Sequence, residues 1–241
     1  IRDIGVTGVQ TCALPICSFY VIVLTAAFAL PVGVATAVFL EFYAEGDRPS
    51  PLRQSLTQFL KLNIDNLAGV PSIVYGLFGL AFFVRWMQFG RSILAAALTL
   101  ALMVLPVIIV NTREAIRAVP PSLAHGAYAL GASKTQVIFT VILPAALGGI
   151  LTATILSVSR ALGESAPLLA VGAWVYVTSL PRTPLDSFTV LPVQIYYWAG
   201  MPQKAFQEVA SAGILVLLAL LLSLNGIAIW LRNKYQKKAE W

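Results

Sequence analysis

Arg160 and Glu164, in the stretch SVSRALGESAPLL, are charged residues set well inside an apolar run of this 241-residue chain. An arginine at the centre of a membrane helix costs roughly 2.5 to 3.5 kcal/mol on insertion scales, so it faces a partner or a polar cavity. Four positions apart, the two side chains share one helix face and can pair. One reading is an ion pair that holds helices together. The sharper one gives Arg160 an anion to meet as it crosses. A guanidinium is a planar fork that takes oxyanion oxygens two at a time, and Glu164 would hold that fork and compete with the anion. Both readings can hold.

Other candidates carry less chemistry. His125 is the sole histidine and has no Cys, His or carboxylate partner with which to build a triad or a metal site. Cys12 and Cys17 are too few and too close for a disulfide framework. The GASKT run, Gly131 to Thr135, lacks the Gly-Lys adjacency, glycine spacing and preceding strand of a phosphate loop. The chain is therefore expected to bind no cofactor and no metal and not to hydrolyse ATP by itself. An intramembrane enzyme, which needs a clustered nucleophile and base, is a remote alternative.

The elements that must position Arg160 are membrane helices. Hydrophobic residues make up 59% and charged residues 11% of the chain, and mean hydropathy is +0.84. That composition describes a polytopic membrane protein, not a soluble domain with one anchor. The apolar runs are continuous and near the ~20 residues that span a bilayer as helix, which excludes a β-barrel of short alternating strands. Net charge is +6, but the basic residues gather at helix ends, so nucleic acid is not implied.

The rest of the chain makes most sense arranged about Arg113 to Pro144, REAIRAVPPSLAHGAYALGASKTQVIFTVILP. Pro120 and Pro121 end the helix entering from Leu98 to Val119, since proline lacks the N–H that a helix interior needs. A short helix is predicted from about Pro121 to Leu130, closed at Gly131 in the left-handed conformation. A second begins at Ser133, which with Gln136 makes a capping box. Pro144 is expected to end it.

This segment resembles the cytoplasmic EAA loop of ABC importer permeases, whose signature matches here at His125, Gly126, Ala127, Gly131, Val141, Leu143 and Pro144. The signature's Glu is His125 in this chain, and nearby Glu114 can supply charge. The resemblance implies a coupling helix seated in a groove of a partner ATPase subunit. Together with RALGESAPLL, NLAGVPSIVYG and LPVQIYYWA, the loop resembles the permease subunits of bacterial phosphate importers from about Ser18 to Arg232. That implies an all-α type I ABC importer permease in the bacterial inner membrane, moving inorganic phosphate by alternating access. It also implies as partners a second permease subunit, a pair of ATPase subunits using ATP and Mg, a periplasmic phosphate-binding protein and membrane lipid. The same architecture serving sulfate or molybdate is the alternative.

Five spans are expected: Phe19 to about Leu40, broken by Pro31 and Gly33; Asn66 to Val84; Leu94 to Val110; Ala145 to Val177, kinked at Pro167; and Val209 to Leu231. Gly69, Gly76 and Gly79 are expected at helix contacts, because small residues let helices approach closely. Glu45 to Gln58 reads as a polar loop, and Thr178 to Glu208 as an interfacial loop anchored by Tyr196, Tyr197 and Trp198. With the loop at 113–144 cytoplasmic, that side holds ten basic residues (Arg48, Arg53, Lys61, Arg113, Arg117, Lys134, Arg232, Lys234, Lys237 and Lys238). The other side holds four, Arg85, Arg91, Arg182 and Lys204. The positive-inside rule agrees, and the C-terminus is expected in the cytoplasm. Val6 to Ile16, VTGVQTCALPI, resembles a translated sequencing adapter. Residues 1–16 are therefore set apart from a transmembrane domain at 17–241, and a first natural helix before Cys17 is expected to be missing.

Overall fold

The computed structural model describes residues 4–44, 51–173 and 181–236. Arg48, Lys237 and Lys238 lie outside the described residues, as do the side chains of Arg53, Arg232 and Lys234. The fold is all-α: among the described residues the only strand-like pairing is an isolated bridge between Ser92 and Ser187.

Helix α1 (Ile4–Val38) widens into a π-helical turn at Phe39–Tyr43. No break forms at Pro31 or Gly33, contrary to the sequence expectation. A helix in lipid satisfies its backbone internally and tolerates proline when neighbours support it. Gly33 instead marks a contact, since a Cβ there would lie 2.6 Å from Ile108 Cγ2. Helix α2 (Pro51–Leu67) replaces the second half of the expected polar loop. Helix α3 (Ser72–Gly79) starts after Pro71 and continues as a π-helical stretch, Leu80–Trp86. Helix α4 (Ile93–Arg117) contains Pro106 and extends past the predicted Val110 to take in Arg113 and Glu114. Next come α5 (Pro121–Ala129) and α6 (Lys134–Gln136), which runs through a π-helical stretch, Val137–Ile142, into α7 (Leu143–Gly163). Helices α8 (Ala166–Val171), α9 (Leu191–Ala199) and α10 (Lys204–Gln236) complete the chain.

Leu14–Tyr43, Ile93–Arg117, Lys134–Gly163 and Lys204–Ile227 are long and apolar enough to cross a membrane. Gln54–Leu67 and Ser72–Trp86, bent at their break, make a fifth span if counted as one.

Three proline expectations are corrected. Pro144 does not end a helix; it lies inside the continuous stretch Lys134–Gly163. The wide turn just before it, Val137–Ile142, gives the ring room where a regular α-helical carbonyl would clash. Pro167 is not a kink within one helix. The helix stops at Gly163, and Pro167 sits in the first turn of α8, where its missing N–H costs nothing. The prolines of 178–208 do not keep that stretch in loop form, because Pro192 falls in the first turn of α9.

The chain divides into two compact units, each described by itself. The first comprises Ile1–Ala29, Val70–Val104 and Val158–Leu224. Its core includes Ile93, Leu100, Leu168, Phe188 and Val193, all buried. The N-terminus of α4 is satisfied from a loop: Ile93 N–H donates to Asp186 O (3.1 Å) and Leu94 N–H to Pro184 O (2.8 Å). Ser92 Oγ accepts from Ala95 N–H, serving as an N-cap. Asp186 in turn accepts from the backbone N–H groups of Thr183 and Arg182 and from the Thr183 hydroxyl, which hold its carboxyl below the usual range. This depressed pKa adds stability above the unfolded value, lost as pH falls through the folded one.

Two of the three glycines expected at contacts are there in this unit. A Cβ on Gly79 would collide with the Thr99 side chain, and one on Gly76 would lie 2.6 Å from Pro167 Cα and 2.7 Å from its carbonyl oxygen. Gly69 differs, with only the backbone of its own turn nearby. Because backbone cannot yield as a side chain does, Gly76→Ala is expected to destabilise by about 1–3 kcal/mol. A thermal melt of the detergent-solubilised full-length protein checks this, and an unchanged midpoint would contradict the close packing.

The second unit comprises Leu30–Gly69, Leu105–Ser157 and Asn225–Trp241. One buried cluster gathers Val38, Ile116, Val137, Ile138, Ile142, Ala146 and Ile150. Another gathers Ala37, Leu40, Ala44 and Ile109. Gly149 brings α7 against Ala115 of α4, where a Cβ would stand 2.6 Å from the Ala115 Cβ. These contacts fix the base of the segment expected to couple to a partner.

Candidate functional site

Arg160 lies in the last turn of α7, three residues before that helix ends at Gly163 and the chain breaks at Glu164 and Ser165. Its Nε donates to Glu164 Oε1 at 3.4 Å, the i,i+4 pairing that the spacing predicted. The Arg160 side chain is 57% exposed and that of Glu164 19%. A cation there also complements the negative end of the helix dipole. Apart from Nε, the guanidinium donors meet no partner among the described residues. Ala161 and Leu162 beside it are buried. The helix thus plants one flank in the core and presents a tethered, half-open cation, able to take two oxygens of an oxyanion.

The coupling segment is built from local rules. Helix α5 closes in the manner expected: Gly131 has φ +83, its N–H donates to Tyr128 O (2.9 Å), and Ala132 N–H donates to Ala127 O (3.2 Å). That pattern is a Schellman closure with glycine at the left-handed position. Ser133 and Gln136 form the capping box in both directions. Buried Val137 and Ile138 then anchor the start of the long helix.

His125, Gly126 and Gly131 are exposed, and Ala127 is half-buried against the core cluster. Val141 and Leu143 are half-buried and Pro144 exposed. Glu114, on α4, is exposed and lies 3.5 Å from Arg117 Nη1. Leu123 and Tyr128 on α5 and Leu130 at its C-cap are exposed apolar side chains.

One cluster escaped the sequence reading. Glu41, in the π-helical turn after α1, accepts from Arg117 Nε at 2.8 Å and from Arg113 Nε at 3.5 Å. Arg113 is buried, its side chain 9% exposed, while Arg117 is 46% exposed. The i,i+4 spacing of the two arginines put them on one face and was the available signal. Their carboxylate, 72 and 76 residues away, could not be read from spacing. Beside this knot a cavity of about 240 Å³ opens under α5, lined by Glu41, Arg117, Pro120, Pro121 and Ala124 among others. Nearby, Tyr43 meets Thr135 (3.4 Å, hydroxyl to hydroxyl) and stacks under Lys134, 5.6 Å from its ring centroid. The end of α1 therefore holds both sides of the α5 hairpin. Among the described residues no three of His, Cys, Asp and Glu converge to hold a metal ion.

A helical chain with four to five membrane-length segments has the architecture of a polytopic membrane protein. The sequence profile of the binding-protein-dependent transport system inner membrane components matches residues 29–237, and the chain belongs to that family. A chain of the MetNI methionine ABC transporter, solved in inward-facing conformations, superposes with a TM-score of 0.73 over 94% of this chain and 97% of its own, at 19% identity. The fold is accordingly that of a type I ABC importer permease. The probable ABC transporter permease protein YqgI of Bacillus subtilis (strain 168) is 33% identical over 92% of this chain and 77% of its own length. The phosphate transport system permease protein PstA 1 of Mycobacterium tuberculosis (strain CDC 1551 / Oshkosh) is 33% identical over 86% of this chain and 65% of its own length.

Proposed function

We propose that this chain is the transmembrane permease subunit of an ATP-dependent inorganic phosphate importer, with the α5 hairpin and the C-terminus on the cytoplasmic side. The observation that carries the reading is the Arg160 side chain, tethered by Glu164 at 3.4 Å yet more than half exposed at the end of a membrane helix. Its weight comes from relatives named for phosphate transport. In lipid such a cation would be expensive. In a pathway lined by a second permease subunit it meets the substrate. Glu164 favours phosphate over sulfate or molybdate, because phosphate at neutral pH keeps a hydroxyl that a carboxylate can accept from, whereas the other two offer it only lone pairs.

A pair of ATPase subunits would bind ATP and Mg, with α5 resting on them through Leu123, Tyr128 and Leu130 and through His125 and Glu114. Closure of that pair would move α5, and the helices would alternate between outward-open and inward-open states. A periplasmic phosphate-binding protein would deliver the anion. The chain itself would hold no cofactor and catalyse no reaction.

The test is uptake of labelled phosphate by cells that depend on the natural full-length subunit with its partners. Arsenate, which carries the same protons, is expected to compete; excess sulfate or molybdate is not. Competition by sulfate would assign another oxyanion. For the coupling segment, Gly131→Ala adds no clash, since a Cβ there meets nothing within 4 Å. It strains a residue held at φ +83 by about 1 kcal/mol. Copurification of the ATPase and uptake should both fall, by about fivefold for that free energy. If both are unchanged, α5 is not the docking element.

A further inference from the structure

We propose that a second anion site, distinct from the Arg160–Glu164 pair, lies in the cavity of about 370 Å³ lined by Arg85, Arg91 and Tyr197 together with the end of α8. Its ligand is a phosphate group. This rests on the phosphate-import reading above and adds to it a place where the anion gathers before it reaches Arg160.

Three observations support the site. Two guanidinium-bearing residues line one cavity, and among the described residues no acidic one is part of its lining. A concave cationic surface raises the local concentration of oxyanions. Arg85 takes part in no ion pair among the described residues. The fold is also shaped to bring Arg91 there. The chain reverses between Trp86 and Ser92 through two left-handed residues, Gln88 (φ 57) and Gly90 (φ 66). The Arg91 side chain then lies against Gly172, where a Cβ would stand 2.7 Å from Arg91 Cδ and 2.8 Å from Nε. Gly172 itself has φ +100, a conformation that favours glycine.

The topology expected from the sequence agrees: it assigns Arg85 and Arg91, two of only four basic residues there, to the side opposite the α5 hairpin, where the positive-inside rule makes them scarce. Arginine can offer two parallel donors to phosphate oxygens, and Tyr197 adds a hydroxyl-bearing wall to the same cavity. A volume of that size holds the anion with part of its hydration shell, as suits a site that must release its ligand inward.

The experiment uses the assembled importer without its binding protein, in the Arg160→Gln background so that the pair described above contributes nothing. Line broadening of inorganic phosphate in phosphorus NMR reports weak binding. Broadening should appear with the Arg85 and Arg91 side chains present and fade as NaCl approaches ~0.5 M. Combining Arg85→Gln with Arg91→Gln should weaken it at least about fivefold, the loss of charge-assisted bonds. Arg85→Lys with Arg91→Lys, which keeps charge but loses the fork, should fall between. Copurification of the ATPase subunit confirms that each variant is assembled.

Broadening that the double Gln variant leaves untouched overturns the proposal, and phosphate uptake by the wild-type complex then still decides the function separately. In nanodiscs, loss of the broadening when phosphatidylglycerol replaces phosphatidylcholine would assign the cavity to a lipid phosphate. Persistence would assign it to the free anion.

Discussion

Arg160→Gln is expected to lower phosphate uptake on the order of a hundredfold while the subunit stays in the membrane with its partners. The size follows from what the side chain would contribute. Two charge-assisted hydrogen bonds to an anion are together worth about 3 kcal/mol or more, and each 1.36 kcal/mol is about a factor of ten. The retention of assembly follows from what the pair does not contribute. Its separation is 3.4 Å, and the Arg160 side chain is more than half exposed, so solvent or a polar pathway screens it; pairs of this kind give about 0 to 1 kcal/mol. Loss of transport with an intact complex therefore separates a substrate contact from a structural brace. The charge swap, Arg160→Glu with Glu164→Arg, sharpens the distinction. It rebuilds an i,i+4 pair but moves the cation past the end of α7 and into the break before α8. Transport should stay lost. Its recovery would make the pair structural.

What the sequence disclosed about this site and what it hid divide along one physical line. The closure of α5 at Gly131, the capping box of Ser133 and Gln136, and the pairing of Arg160 with Glu164 all involve residues within a few positions of one another. Their chemistry is written into spacing. Pro144 was misread because the rule for it assumes an α-helical register, and Pro167 and Pro192 because each falls in the first turn of a helix, where proline is tolerated. Pro144 survives within a helix because the preceding turn is π-helical, a register change that nothing in VIFTVILP announces. Gly76 and Gly79 were legible as contacts, since small residues in apolar helices pack, but their partners, Pro167 and Thr99, were not. The Glu41 knot was hidden for the same reason. Arg113 and Arg117 were legible as charges that orient the chain, and only the fold shows that one of them is buried.

That burial makes Glu41 the second residue whose loss should be large. Glu41→Ala strands the Arg113 side chain, 9% exposed, without its carboxylate, and breaking a buried pair from one side costs about 3 to 5 kcal/mol. The folded subunit should be depleted from membranes, and what remains should melt at a lower temperature. Arg117→Ala removes the shorter contact, 2.8 Å against 3.5 Å, yet should cost under about 1 kcal/mol, because Arg117 is 46% exposed and water replaces what it loses. Distance and energy thus rank the two arginines in opposite order, and burial decides. A paired replacement tests the cause. Glu41→Leu together with Arg113→Leu should be less damaging than Glu41→Leu alone, since it removes the stranded charge with its partner. If Glu41→Ala proves as mild as Arg117→Ala, Arg113 finds water or another acceptor, and the knot does not hold the end of α1 to α4.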